Sequence, residues 1–128
     1  MKIEQVILDI ADEPNSLRRL EELVGISEEV LRELELPYQV VSMCTADMGE
    51  PQYKKYDIET WMPSRDNYGE THSASAMLDF QSRRANIKYR TKKGETKFVH
   101  MLNNTMIASP RLMIALWENH QQKDGSVK

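Results

Sequence analysis

The chain has 128 residues, 40% hydrophobic and 29% charged, a composition typical of one modest globular domain. No apolar run approaches the ~18 residues that a membrane-spanning helix requires, and Glu4 interrupts the apolar start that a signal peptide would need. We therefore expect neither a membrane segment nor a secretory leader. The net charge of −3 does not favour nucleic acid as a partner of the whole chain, so any RNA contact must come from local patches. The single cysteine, Cys44, excludes an internal disulfide framework and favours a reducing, cytoplasmic setting.

The first third of the chain predicts a strand, a long helix and a second strand. Residues 3–10 are rich in β-branched side chains and predict a strand. Pro14 then starts a helix that we expect to be capped by Asn15 or Ser16. Its apolar residues recur at helical spacing up to residue 35, with Gly25 as a possible break, and its glutamates form a solvated face. Residues 38–45 predict a buried strand.

The middle of the chain predicts a pair of strands with polar faces. Residues 54–62 alternate, so that Tyr56, Ile58 and Thr60 face one way and Lys55, Asp57, Glu59 and Trp61 the other. Residues 68–75 form a polar strand that has two interpretations. Polar side chains on an inner face are costly without partners, which favours a binding cleft; an exposed edge strand explains the pattern about as well.

The last third predicts a short helix, a hairpin and a strand–turn–helix unit. Asp79 is expected to cap a helix over residues 79–85, and Gly94 lies in the turn between strands 86–90 and 96–102. We predict a polar turn at Asn103-Asn104-Thr105, followed by an amphipathic helix with Pro110 in its first turn that ends at residue 121 or 122. Short turns between strands, interrupted by helices, predict an α+β domain with a mainly antiparallel sheet flanked by helices.

Arg111 stands at an unusual position, in the first turn of the last helix. A helix N-terminus carries partial positive charge, so a cation there is unfavourable unless an anion is present. The exposed N–H groups of the same turn form a natural anion site. The position indicates a phosphate-bearing ligand, and a solvated surface arginine is the simpler alternative.

Five stretches of the sequence, taken together, resemble the C-terminal part of the catalytic domain of the seryl-tRNA synthetases, which are class II aminoacyl-tRNA synthetases. They are KIEQV, PYQVVSMCTADMG, KKYDIETWMPS, GETHSASAMLDFQSRRANIKYR and FVHMLNNTMIASPRLMIALWENHQQKDGS. They keep the family's order and spacing over nearly the whole chain, which is far more specific than one short motif. The resemblance implies that residues 1–128 form a single partial catalytic domain, from the end of motif 2 through motif 3.

The resemblance also implies an activity and its partners. Seryl-tRNA synthetases are serine–tRNA ligases that activate L-serine with ATP to seryl-adenylate and transfer the seryl group to tRNA(Ser). Mg²⁺ and arginines neutralise the phosphate charge in this reaction. The family further implies a homodimeric, cytoplasmic parent protein without a membrane anchor.

The resemblance assigns roles to individual residues at the matching positions. Glu4 and Thr105 correspond to serine-binding residues, and Arg111 to the catalytic motif 3 arginine that binds ATP phosphate. Residues 70–73 correspond to the ATP-binding stretch, namely Glu70, Thr71, His72 and Ser73, of which Glu70 and Ser73 also hold Mg²⁺. On a regular strand, side chains three residues apart face opposite ways. A bulge is therefore required if Glu70 and Ser73 are both to face the ligand.

The sequence departs from the family pattern after Glu70. The family's run is typically SSCSN, and here His72, Ala74 and Ala76 replace a serine, a cysteine and an asparagine. The change at Ala76 removes a polar group expected on the amino-acid side of the pocket. The metal or acid–base use of His72 or His100 is disfavoured.

Two hypotheses about the molecule follow. Motif 1, the tRNA-binding coiled coil, the Thr-x-Glu loop and the motif 2 arginine of the family lie upstream of the position matched by Met1. The first hypothesis is a fragment of a seryl-tRNA synthetase, inactive by itself. The second is a non-ligating paralogue that binds a nucleotide, an aminoacyl group or a protein partner, which the three substitutions and the replacement of the usual motif 3 glycines by Met106, Ala108 and Pro110 favour slightly. In either case the strand at residues 3–10 is expected to expose a sheet edge and to promote association.

Overall fold

The computed structural model describes all 128 residues, Met1–Lys128, as seven strands and three helices. Two short 3₁₀ turns, Thr45–Asp47 and Pro63–Arg65, lie in the connections before and after the third strand. The elements in chain order are β1 (Lys2–Asp9), α1 (Glu13–Glu33), β2 (Tyr38–Ser42), β3 (Lys54–Met62), β4 (Asn67–Ala76), α2 (Phe80–Ala85), β5 (Lys88–Arg90), β6 (Thr96–Phe98), β7 (His100–Ala108) and α3 (Ser109–His120).

Five of the strands form one antiparallel sheet in the order β1-β7-β4-β3-β2. The other two, β5 and β6, form a separate two-stranded hairpin. The predicted α+β class with a mainly antiparallel sheet is confirmed. Strand β4 lies at the centre of the sheet, so the edge-strand interpretation of its polar side chains is wrong and the cleft interpretation remains.

The core lies between one face of the sheet and the helices α1 and α3. One buried cluster joins Leu20, Leu23 and Val24 of α1 to Ala74, Ala76 and Leu102 of the sheet. A second cluster joins Leu31 and Leu36 to Ile58 of β3 and to Leu112 and Ala115 of α3. Burying these apolar side chains provides the main stabilisation of the two-layer arrangement. Helices α1 and α3 pack on this face through the two clusters. The opposite face of the sheet carries the polar side chains of the central strands.

Helix α1 begins earlier than the sequence indicated. Asp12 is the N-cap, and its side chain accepts a hydrogen bond of 3.1 Å from the backbone N–H of Asn15, so the predicted cap at Asn15 or Ser16 is wrong. Aspartate fits this position because its carboxylate satisfies a free N–H and faces the positive helix end. Gly25 does not break the helix, which continues to Glu33.

The predicted turn at Asn103-Asn104-Thr105 is wrong, because these residues lie within β7. Asn104 is fully buried, and its side-chain amide donates 2.8 Å hydrogen bonds to Gln5 Oε1 and Ser27 Oγ. Asparagine pairs favour turns in general, but here β1 and α1 supply partners that only the tertiary structure brings together. The predicted strand 96–102 is also divided, since β6 ends at Phe98 and β7 begins at His100.

Both edges of the main sheet are exposed. Strand β2 is an edge strand whose five residues are half-buried or exposed, so the predicted burial of residues 38–45 is wrong. Strand β1 forms the other edge, and Val6, Leu8 and the following Ile10 are each at least half exposed. The unpaired edge that the sequence predicted at residues 3–10 is therefore present. None of the three helices combines the length and the hydropathy that crossing a bilayer requires.

Candidate functional site

A polar groove of about 460 Å³ lies on the sheet face opposite the α1 core. We call it the central groove. Side chains of β1, β3, β4 and β7 alternate out of the core into this space, because successive residues of a strand point to opposite faces. Its lining residues are Lys2, Glu4, Val6, Gln52, Lys55, Glu70, Ser73, Ser75, Met77, Asn103 and Thr105.

A β-bulge in β4 brings Glu70 and Ser73 to the same side. On β3, Ile58 pairs with His72 and the next residue, Glu59, pairs with Glu70, so Thr71 is the extra residue. A bulge shifts the alternation by one position and redirects a side chain. The bulge that the three-residue spacing required is confirmed, and both residues line the central groove.

A second bulge re-aims the start of β1 against β7. Ile3 pairs with Ile107 and Glu4 pairs with Thr105, which leaves Met106 as the extra residue. Glu4 and Thr105 then lie directly opposite each other, and Thr105 Oγ1 donates a 3.0 Å hydrogen bond to Glu4 Oε1. Glu4 also lies 2.7 Å from the ammonium of Lys2. A carboxylate, a hydroxyl and an ammonium therefore meet at one end of the groove.

Arg111 reaches from the first turn of α3 to the side chain of Glu70. The Arg111 Nη1 to Glu70 Oε2 distance is 3.0 Å, and both side chains are about half exposed. The two residues also line a larger cavity of about 600 Å³ between the end of β3–β4 and α3, which contains Glu59, Arg65, Tyr68 and Glu118. Glu118 accepts hydrogen bonds from the Oγ and N–H of Ser64, which lower the pKa of its carboxyl group.

Lys55 lines the groove and Asp57 lies beneath it, in contact with Ser73, although no role was predicted for either residue. Asp57 is 5% exposed; its Oδ1 accepts a 2.7 Å hydrogen bond from Ser73 Oγ, and its Oδ2 lies 2.9 Å from Lys55 Nζ. The alternation of β3 predicted that both residues lie on the face of the sheet opposite to Ile58, and this was the signal in the sequence that could have identified them. What the sequence could not show is that β4 presents Ser73 to that face.

The side chains of Thr71 and His72 do not enter the groove, so their ATP-binding role stays a prediction that the placement of the side chains does not support. Both are almost completely buried; Thr71 Oγ1 lies 2.6 Å from Thr60 Oγ1 and 2.9 Å from His72 Nδ1. Burial disfavours the charged imidazole and lowers the pKa of His72 to about 4. The bulge that aims Glu70 and Ser73 outward leaves these two side chains inside.

The other substitutions after Glu70 also point into the core. Ala74 and Ala76 are fully buried and pack in the cluster that contains Leu20 and Leu23 of α1. Ala76 was expected to alter the pocket that recognises an amino acid, but its side chain faces α1 and is absent from the groove lining. The three departures therefore lie on the buried side of the sheet, and none of them lines the groove.

Comparisons with known proteins agree with this arrangement. The family model of the tRNA synthetase class II core domain (G, H, P, S and T) matches residues 2–120. The chain is 49% identical over 127 residues to the serine–tRNA ligase of Deinococcus radiodurans, covering 99% of the chain and 30% of that relative. It is 53% identical over 107 residues to the serine–tRNA ligase of Rubrobacter xylanophilus, covering 84% of the chain and 25% of that relative. The chain thus spans less than a third of the length of these relatives.

Solved structures give the same result at the level of the fold. The seryl-tRNA synthetase of Pyrococcus horikoshii complexed with ATP superposes with a TM-score of 0.93 at 43% identity, over 99% of this chain and 28% of that one. The cytoplasmic serine–tRNA ligase of Naegleria fowleri in complex with AMP superposes with a TM-score of 0.87 at 34% identity, over 95% of this chain and 29% of that one. The chain belongs to the class II tRNA synthetase core-domain family.

Proposed function

We propose that the chain forms the ATP- and serine-binding part of a serine–tRNA ligase. In the whole protein, L-serine is activated with ATP to seryl-adenylate and the seryl group is transferred to tRNA(Ser), with a homodimer as the parent assembly. The observation that carries the proposal is the convergence of Glu4, Glu70, Ser73, Thr105 and Arg111 around one side of the sheet. The similarity to a seryl-tRNA synthetase complexed with ATP supports the choice of nucleotide.

The end of the groove at Glu4 and Thr105 suits serine. A carboxylate pairs with the ammonium of an amino acid, and a hydroxyl can exchange hydrogen bonds with the serine side chain. The 3.0 Å hydrogen bond between Thr105 and Glu4 orients both groups toward the same space. Lys2, paired with Glu4, adds a positive charge beside this position.

Arg111 suits a phosphate of ATP, and its cationic group is the proposed catalytic residue. Its ion pair with Glu70 is exposed, and exposed pairs contribute only about 0–1 kcal/mol. A phosphate can therefore replace Glu70 as the partner of Arg111 at a small cost in free energy. The guanidinium then balances charge that develops on the phosphate during acyl activation.

The donor set around Glu70 and Ser73 fits Mg²⁺ held jointly with phosphate. No three His, Cys, Asp or Glu side chains converge on one point, so the chain offers no closed protein cage. Mg²⁺ usually keeps one or two carboxylates plus substrate phosphates, and Glu70 supplies a carboxylate. The Ser73 hydroxyl donates its hydrogen bond to Asp57, so the lone pairs of its oxygen remain available to a ligand in the groove. Mg²⁺ bound there would supply charge neutralisation on the phosphates.

ATP binding tests the proposal directly. The chain should bind ATP in the presence of Mg²⁺, measured by isothermal titration calorimetry, and Arg111→Ala should weaken binding about tenfold or more because a charge-assisted phosphate contact is lost. Lys123→Ala removes one exposed charge outside the groove and serves as the control. Equal affinity of the wild type and Arg111→Ala would contradict the assignment.

The activity of the isolated chain is a separate matter. We expect no serine-dependent pyrophosphate–ATP exchange from the 128 residues, because the family's motif 2 arginine is not among them. Clear exchange would overturn this expectation. Since His72, Ala74 and Ala76 face the core, they no longer favour the non-ligating paralogue, and only the replaced motif 3 glycines remain in its support.

A further inference from the structure

Positive charge is concentrated in one segment of the chain, which we call the basic arm. It comprises residues 79–98, that is, α2, the β5–β6 hairpin and their connections. These 20 residues contain seven of the 17 basic residues and two of the 20 acidic ones, so the arm carries +5 while the whole chain carries −3. The basic residues are Arg83, Arg84, Lys88, Arg90, Lys92, Lys93 and Lys97.

All seven cations are exposed, and most lack an acidic partner. Only Arg83 and Lys97 form ion pairs, with Asp79 and Glu95 respectively. The other five are unpaired by any carboxylate within 4.0 Å, in contrast to the cations of α1, which pair with neighbouring glutamates and Asp9. Unpaired, clustered cations produce a local positive potential that a net negative chain otherwise lacks.

The arm is held firmly against the main sheet. Ser82 Oγ donates a 2.6 Å hydrogen bond to the carbonyl of Val99, and the N–H of Ala11 donates to Tyr89 Oη at 3.2 Å. Val99 itself is buried and also bonds to Ile87 through the backbone. The cations are therefore displayed on a fixed support and not on a free loop.

Cations cover two of the three aromatic residues of the arm, and the third, Tyr89, is half-buried with its hydroxyl bonded to Ala11. The guanidinium of Arg84 lies 3.4 Å from the ring centre of Phe80, and Lys88 Nζ lies 4.8 Å from that of Phe98. Rings covered in this way are not open platforms for unstacked bases, which single-stranded recognition requires. The arm also exposes none of the large apolar side chains that insert into a membrane interface. These features favour contact with the phosphates of a double-stranded stem.

The arm starts at the edge of the central groove. Met77 lines the groove, and its carbonyl accepts a hydrogen bond from the N–H of Phe80 in the first turn of α2. Thr105 lies five residues along β7 from His100, about 17 Å at the usual rise of a strand. The first turn of α2 is therefore bonded directly to a residue of the groove lining.

From these observations we propose that the basic arm is a docking surface for the phosphate backbone of a double-stranded RNA stem. The proposal rests on the proposed function only for the choice of RNA as the partner. Contact with phosphates carries no sequence information, so binding is expected to depend on salt and not on base sequence. The A-form shape of the stem, and not its bases, is what the arm recognises.

Fluorescence anisotropy with a labelled RNA duplex of about 12 base pairs tests the proposal, with Lys92→Gln/Lys93→Gln as the variant. Binding by the wild type should weaken steeply as salt rises, and the variant should bind about tenfold more weakly near 50 mM salt, with a log–log salt slope reduced by about 2. Lys123→Gln/Lys128→Gln removes the same charge from exposed positions outside the arm and should bind like the wild type.

Several outcomes would overturn the proposal. They are absence of duplex binding, equal weakening in the two double variants, and tighter binding to a DNA duplex or to vesicles with anionic headgroups than to the RNA duplex. ATP binding measured on the same samples separates the two proposals. Lys92→Gln/Lys93→Gln should keep ATP affinity, whereas Arg111→Ala should bind ATP about tenfold more weakly and still bind RNA. A wild type that binds the RNA duplex but not ATP would count against the proposed function and not against the assignment of the arm.

Discussion

At the scale of single residues, exposure separates the groups that can exchange partners from those that are fixed. Arg111 and Glu70 are half exposed and pair loosely, so a ligand can separate them. Asp57 is buried, and its carboxylate holds Ser73 on one oxygen and Lys55 on the other. Burial of such a charge is tolerated only because both oxygens have partners. Asp57 therefore positions Ser73 without needing to contact a ligand itself.

His72 provides a prediction about pH. Its pKa is lowered to about 4 by burial, while the unfolded chain keeps a value near 6.5. Between these pH values the imidazole of His72 is protonated in the unfolded state and neutral in the folded state. The free energy of unfolding therefore decreases as pH falls through this window. Denaturant unfolding of the wild type should show about 2 kcal/mol less stability at pH 5 than at pH 7 from this residue.

The variant His72→Ser restores the residue typical of the family and removes the titrating group. Its unfolding free energy will be lower at neutral pH because a cavity is created, but its decline from pH 7 to pH 5 should be flatter than that of the wild type. Parallel declines in the two proteins would show that His72 is not the group responsible. Carboxylates titrate mainly below the compared range of pH 5 to pH 7, and both proteins contain the same carboxylates.

At the scale of elements, two bulges determine which side chains meet. The extra residues Thr71 in β4 and Met106 in β7 shift the alternation of two adjacent strands. Without them Glu70 and Ser73 would face opposite sides of the sheet, and Glu4 would lie across from a different residue of β7. The groove is therefore a property of the strand irregularities as much as of the residue types.

Gly25 lies inside α1 and gives a prediction on helix stability. A Cβ at this position would meet no atom within 4 Å, and the backbone is helical, so Gly25→Ala should raise the unfolding free energy by about 0.5–1 kcal/mol. Gly94, in the β5–β6 turn, has φ +86°, a conformation unfavourable for alanine, so Gly94→Ala should destabilise the chain. Thermal unfolding should place the wild type between the two variants, and any other order would contradict the argument.

At the scale of the whole molecule, the exposed β1 edge predicts self-association. An edge strand with outward apolar side chains offers unpaired backbone groups to another strand, and Val6 and Leu8 are each at least half exposed there. Sedimentation velocity should show association that grows with protein concentration. Leu8→Lys should shift the chain toward monomer, because a charge disfavours edge pairing.

The opposite edge of the sheet offers a matched control for this experiment. Val40, on β2, is also exposed, but it is the only large apolar residue of that strand that is exposed. Val40→Lys should leave the association unchanged. A wild type that stays a monodisperse monomer and melts cooperatively would contradict the prediction.

The amino-acid sequence by itself indicated the α+β class through local periodicity and the family through the order of its motifs. The resemblance to that family pointed to Glu4, Glu70, Ser73 and Thr105, which line the groove, and to Arg111, which pairs with Glu70. The spacing of Glu70 and Ser73 even required the bulge that β4 contains. The hairpin glycine and the proline in the first turn of α3 were likewise readable from local backbone chemistry.

Only the tertiary structure decided which face each polar residue occupies. The asparagines of β7 were interpreted as a turn because their preference for turns is local, whereas the partners of Asn104 come from β1 and α1, 77 or more residues away. His72, Ala74 and Ala76 looked like changes to a binding site until the sheet placed all three in the interior, with Ala74 and Ala76 against α1. Long-range pairing fixes strand register, and register assigns each side chain to the core or to the groove.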